Sequence, residues 1–127
     1  MQRALWVAAG GALGTLVRYL TALAAVRWLG TDFPYGTMIV NLTGSFVIGF
    51  VQALGVEAMV IPDDARLFLT TGVMGGLTTY SAFSYETVRL MEAGAWSQAT
   101  INVVVTTIVC LVLCLLGQSL GRMLARG

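Results

Sequence analysis

The stretch Gly72-Val73-Met74-Gly75-Gly76-Leu77-Thr78-Thr79-Tyr80-Ser81-Ala82-Phe83-Ser84-Tyr85-Glu86 decides how this chain folds. It lies inside an apolar window from about Arg66 to Met91, long enough to cross the roughly 30 Å hydrocarbon core of a bilayer. Gly72, Gly75 and Gly76 in its middle, followed at once by Thr78-Thr79-Tyr80-Ser81, loosen any helix built there. In lipid, a backbone group freed by a break must be satisfied by protein, water or an ion. Two readings stand side by side. Gly72 and Gly76, four residues apart, suit close packing of helices, and a break near residues 75–78 suits an ion site, since broken membrane helices commonly surround one.

Outward from this stretch lie three more apolar windows, at about residues 5–26, 36–55 and 99–120. Short polar or turn-forming pieces separate them, from Arg27 to Pro34, from Glu57 to Ala65 with Pro62-Asp63-Asp64, and from Glu92 to Gln98. The expected fold is therefore an all-α integral membrane protein, one transmembrane domain of four helices with the third broken. Composition agrees with lipid as the solvent. The chain has 127 residues, 57% hydrophobic and 10% charged, with a mean hydropathy of +0.85, whereas a soluble domain carries about 25% charged residues. A soluble enzyme and a disordered tail are excluded on that ground. A net charge of +1 also offers no footprint for phosphate backbones, so no nucleic-acid partner is expected. Ala22-Leu23-Ala24 resembles a signal-peptide cleavage site, but Arg18 interrupts the stretch that a signal would keep apolar, so the first span is expected to stay.

All seven basic residues are arginine and histidine is absent, which removes the commonest metal ligand and the commonest general acid or base. With four spans both termini share a side. That side holds Arg3, Arg66, Arg122 and Arg126, against Arg27 and Arg89 opposite and Arg18 within the first span. So weak a bias under the positive-inside rule leads to the expectation of insertion in both directions and a closed antiparallel pair. Cys110 and Cys114, four apart in an apolar run, read as small core residues rather than a redox pair.

Polar side chains recur at helical spacing in three spans: Thr37, Asn41, Ser45 and Gln52 in the second; Thr79, Ser81, Ser84 and Thr87 in the third; Asn102, Thr106, Cys110, Cys114 and Gln118 in the fourth. Such stripes serve either as glue between helices or as the lining of a pathway. Hydroxyls, amides and the positive edges of aromatic rings donate to an anion without a fixed cation that traps it. A proton-coupled pump needs a carboxylate in the path, and Glu86 is the one candidate. Arg18 and Glu86 are the membrane-depth charges, read either as snorkelling or paired, or as a mouth that concentrates anions.

The string Gly10-Gly11-Ala12-Leu13-Gly14 with Arg18, then Gly36-Thr37-Met38-Ile39-Val40-Asn41-Leu42, and above all the stretch from Gly72 to Glu86, resemble the Fluc (CrcB) family of bacterial fluoride channels over nearly the whole chain. The resemblance implies an antiparallel, dual-topology homodimer in the bacterial plasma (inner) membrane, surrounded by lipid, with two pores at its interface that let toxic cytoplasmic fluoride leave passively. It implies fluoride contact by the ring edges of Tyr80 and Phe83, one from each subunit per pore, and pore lining by Asn41. Ser81, Ser84 and Thr106 fall on its polar track. Arg18 and Glu86 match its membrane-embedded charges, and Gly75 and Thr78 match the positions whose carbonyls hold a structural sodium ion (Na+) at the two-fold axis. Two positions depart from the pattern: Tyr80 stands where the family generally has phenylalanine, and Ala82 where it has threonine. Tyrosine keeps the ring edge and adds a hydroxyl that needs a partner. Small multidrug-type exchangers share the short four-span plan but need a first-span glutamate, where this chain has Arg18. A non-transporting membrane assembly protein is the other alternative, and no catalytic set is present.

Overall fold

The computed structural model describes residues 1–127 and contains helices and connecting turns, with no strand. Helix α1 covers Gln2–Leu29. Gly30, at φ +86°, takes the left-handed conformation that glycine adopts without strain and ends it. Helix α2 starts behind Pro34, covers Tyr35–Gln52 and continues in wide π-helical turns over Ala53–Glu57. After Pro62, α3 (Asp63–Leu67) runs through a π-helical stretch, Phe68–Met74, into α4 (Gly75–Leu77). Helix α5 covers Tyr80–Glu92, and after the turn at Gly94 (φ +76°) α6 covers Trp96–Arg126.

Three helical segments are long and apolar enough to cross a membrane: α1, α2 with its extension to Glu57, and α6. The window expected at residues 66–91 is two separate helical runs, each too short to be a fourth such helix. Its break lies at Thr78–Thr79, at the C-terminal edge of the expected interval 75–78. Gly72, Gly75 and Gly76 all lie in helical turns, and the chain is extended at Thr78 (φ −82°, ψ 154°) and Thr79 (φ −152°, ψ 116°).

The glycines act instead through contact. A Cβ on Gly76 would run into the carbonyl of Gly11, and one on Gly72 would lie 3.0 Å from the Cα of Gly10. On the facing helix, a Cβ on Gly14 would strike the carbonyl of Val73. So α1 and the α3–α4 run meet backbone to backbone, the close approach that small residues allow in lipid. Gly49 and Gly117 do the same where α2 crosses α6. The buried side chains Val40, Met74 and Leu77 form a small apolar centre between these layers.

Ion pairs tie the ends together at one pole of the bundle. Arg3 meets Asp64 at 2.9 Å, Arg66 meets Asp63 at 3.4 Å, and Arg122 holds Glu57 with two bonds of 2.5 and 2.8 Å. Both termini therefore share a pole with the α2–α3 connection. Being exposed, each pair is worth about 0–1 kcal/mol, so packing carries the fold.

The contact pattern separates two neighbouring glycines. Gly14→Ala is expected to destabilise the folded protein by about 1–3 kcal/mol through overpacking. Gly11→Ala, whose added carbon would have its nearest neighbour at 4.0 Å, should change stability by less than about 0.5 kcal/mol. Thermal unfolding in detergent compares them.

Candidate functional site

At the break the regular helical bonding fails, and side chains supply replacement bonds to three of the freed backbone groups around Thr79 and Gly76. Thr79 N–H, which in a continuous helix bonds to the Gly75 carbonyl, donates instead to Asn41 Oδ1 at 2.8 Å. Asn41 Nδ2 donates to the Thr79 carbonyl at 3.1 Å. One amide of α2 thus grips both polar groups of a single extended residue. The Gly76 carbonyl accepts from Arg18 Nε at 3.0 Å. The Gly75 carbonyl is left without the Thr79 bond.

Thr79 also starts the next helix. Its hydroxyl accepts from Ala82 N–H at 3.2 Å, capping α5, and lies 3.2 Å from Ser81 Oγ. The Thr78 hydroxyl donates back to the Met74 carbonyl at 2.8 Å. Arg18 is explained by the same economy of partners. Its guanidinium sits where the α3–α4 run ends, beside a freed carbonyl and the negative end of a helix. It forms no ion pair with Glu86.

Next to the break lies a groove of about 450 Å³ between α2, the α3–α4 run, α5 and α6. Asn41, Gly75, Thr78, Tyr80, Phe83 and Thr106 all line it, joined by Gly44, Ser45, Ile48, Thr70, Met74, Thr79, Thr107, Cys110 and Leu111. No charged side chain is among them. Tyr80 and Phe83 lie with ring centroids 5.6 Å apart and planes at 57°, Tyr80 80% exposed and Phe83 9%. Both rings border the groove and are tilted against each other.

The other expected site residues lie elsewhere. Ser81 touches the break only through Thr79. The Ser84 hydroxyl donates to the Tyr80 carbonyl within its own helix at 2.9 Å. Glu86 borders a second cavity of about 370 Å³, lined also by Asp32, Tyr35, Thr37 and Arg89. There Glu86 Oε1 accepts from Thr37 Oγ1 at 2.9 Å, and its Oε2 is buried without a protein partner.

The comparisons with known proteins bear on this arrangement directly. Residues 5–118 match the family model described as CrcB-like protein, Camphor Resistance (CrcB). The chain belongs to this family. Relatives bearing the name fluoride-specific ion channel FluC match it almost end to end. One from Sorangium cellulosum (strain So ce56) is 42% identical over 127 residues, all of both chains. Another, from Anaeromyxobacter sp. (strain K), is 46% identical over 125 residues, 98% of this chain and 99% of its own. One from Clostridium perfringens (strain 13 / Type A) is 41% identical over 121 residues, 95% and 94% of the two chains. The stretch that carries the family resemblance is thus also the stretch where this chain breaks its helix and lines its groove.

Sequence reasoning did not single out Thr79 as the hub of the break. A threonine three residues before the Ala82 amide is a helix-start signal, masked here because the surrounding window reads as one continuous span. Thr70 and Met74 were likewise hidden, since they lie on the lining only once the α3–α4 run is rotated against α2.

Asn41→Leu, similar in size but without the amide, should destabilise the protein by about 1–3 kcal/mol for each of the two backbone groups it leaves unpaired. Serine at position 45, whose hydroxyl only bonds back to the Asn41 carbonyl at 2.7 Å, should tolerate alanine with a change under about 1 kcal/mol. Thermal unfolding in detergent distinguishes the two.

Proposed function

We propose that this chain is a passive, fluoride-selective channel subunit that lets fluoride leave the cytoplasm down its gradient, and that it performs no chemistry. The observation that carries the reading is the uncharged groove: its lining combines hydroxyls, an amide and two aromatic rings with no fixed cation or carboxylate. A small, strongly hydrated anion exchanges its water for such donors and is not held too tightly to leave. The names borne by relatives at 41–46% identity over nearly the full chain support the choice of fluoride.

The groove is open along one side, and in our reading a second, antiparallel copy closes it. The homodimer then has two pores, each taking one of the rings Tyr80 and Phe83 from each subunit. The α3–α4 run and α5 together make the fourth crossing of a single transmembrane domain in the bacterial inner membrane. Asn41 lines the path while its amide holds Thr79; Nδ2 has a second proton, and that one is available to an anion. Thr106, Ser81 and Ser84 extend the track, and Arg18 and Glu86 act at its mouths.

Sodium fits the same arrangement. Gly75 and Thr78 both border the groove, and the Gly75 carbonyl lacks its helical partner because Thr79 N–H is taken by Asn41. Carbonyl oxygens are hard ligands suited to a hard cation. Gly75 and Thr78 of both subunits would hold the ion, which supplies a positive charge that satisfies the freed carbonyls at the two-fold axis.

The test is fluoride efflux from liposomes containing purified protein, with chloride as control. Fluoride efflux well above empty liposomes and no matching chloride efflux is expected; absence of fluoride efflux from folded protein would overturn the reading. Tyr80→Phe should retain fluoride flux within about threefold, since the ring edge is kept. Tyr80→Ile, which removes the ring, should lower it by more than about tenfold.

A further inference from the structure

Asn102 is 2% exposed and is the largest fully buried side chain in the protein. It lies on α6 one turn before Thr106, and it lines neither the groove nor the second cavity. A buried amide is costly unless it is bonded, and a leucine of similar size would fill the same space without that demand. Both polar atoms of the amide have a partner here. Its Nδ2 donates to Thr87 Oγ1 at 3.0 Å, and its Oδ1 accepts from Thr106 Oγ1 at 3.4 Å. Thr87 in turn donates to the Phe83 carbonyl at 2.7 Å. The chain of bonds runs from one groove-lining residue to another, through two residues that do not reach the groove.

The Asn102–Thr87 bond is also the one side-chain hydrogen bond that crosses from α5 to α6. Helix α5 is 13 residues long and carries both rings of the site, so its rotation about its own axis determines where the Phe83 edge points. Its first turn is fixed by Asn41 and Thr79. Beyond that turn two side-chain bonds hold it, Thr37–Glu86 to α2 and Asn102–Thr87 to α6, and the second sets its position against α6.

We infer that Asn102 is a positioning residue: through Thr87 it fixes the rotation of α5 against α6, and so the gap between the Phe83 ring edge and the Thr106 hydroxyl across which the anion is held. This rests on the channel reading above. The unequal bond lengths suit the role. The short Thr87 contacts keep the helices in register, while the 3.4 Å contact is well beyond the usual ~2.7–2.8 Å for hydroxyl donors. Thr106 can therefore turn its proton into the groove when an anion arrives, without disturbing the strut.

Four variants test this by fluoride efflux from liposomes and by thermal unfolding: Asn102→Leu, Thr87→Val, Thr87→Ser, and the Asn102→Leu/Thr87→Val pair. Asn102→Leu and Thr87→Val should each lower fluoride efflux by about tenfold or more, the size expected when a buried bonded group loses its partner. Thr87→Ser, which keeps the hydroxyl, should stay within about threefold of wild type, and the pair should be no slower than the slower single variant. Wild-type efflux from Asn102→Leu, or equal losses from Thr87→Ser and Thr87→Val, would overturn the inference. If Asn102→Leu does not fold, the valine and serine variants at position 87 decide between the outcomes. If wild-type protein passes no fluoride, the channel reading fails, and unfolding still tests the strut: a double variant no less stable than the weaker single supports it, and additive losses refute it.

Discussion

Everything in this protein turns on the requirement that a polar backbone surrounded by hydrocarbon find partners. At Thr78–Thr79 the helix stops and the chain runs extended, which in lipid is tolerated only with replacement bonds. Asn41 supplies two of them to Thr79 and Arg18 supplies one to Gly76. Those bonds come from α2 and α1, so the break does more than interrupt a span. It fixes the position of both neighbouring helices, and with them the wall on which Tyr80, Phe83 and Thr106 meet.

Close packing makes this possible. Polar bonds of about 3 Å between helices require backbones that approach closely, and the glycines at positions 10, 14, 72 and 76 bring α1 against the α3–α4 run. The two readings of the glycine-rich stretch are therefore both parts of one design: the glycines supply contact, and the threonines after them supply the break. The polar stripes divide in the same way. On α2, Thr37, Asn41 and Ser45 bond to Glu86, to Thr79 and to their own backbone, which is the work of glue. On α6, Asn102 is buried glue, while Thr106 and Cys110 face the groove.

Much of this was legible in the sequence, for physical reasons. Apolar windows near 20 residues report lipid exposure directly, and the helices α1, α2 and α6 overlap the windows read there, extended by a few residues at their ends. The arginines near the termini read as one pole, and the pairs Arg3–Asp64 and Arg122–Glu57 join the elements of that pole. What could not be read was rotation. Periodicity places Asn41 and Ser45 on one face but does not say that the amide of Asn41 reaches Thr79, nor that Ser84 bonds to its own helix while Phe83 turns inward. Likewise the glycine-rich stretch announced a break near residues 75–78, and the chain is extended at Thr78 and Thr79, at the edge of that interval, while the glycines themselves stay helical, with Gly72 and Gly76 packed against another backbone. The family resemblance reached Asn41, Gly75, Thr78, Tyr80, Phe83 and Thr106 by position, and set beside them Ser81 and Ser84, which do not line the groove. The bonds that hold the groove residues in place come from the structure.

The claim at the centre of this account is that Asn41 closes the break by holding Thr79. Amide hydrogen exchange of the purified protein in lipid nanodiscs, read at Thr79, tests it most directly. The account predicts that Thr79 N–H exchanges as slowly as the interior amides of α2, and that Asn41→Ala speeds it by about a hundredfold or more, the equivalent of one buried hydrogen bond with its desolvation. Fast exchange at Thr79 in the wild-type protein, or an unchanged slow rate in Asn41→Ala, would contradict it.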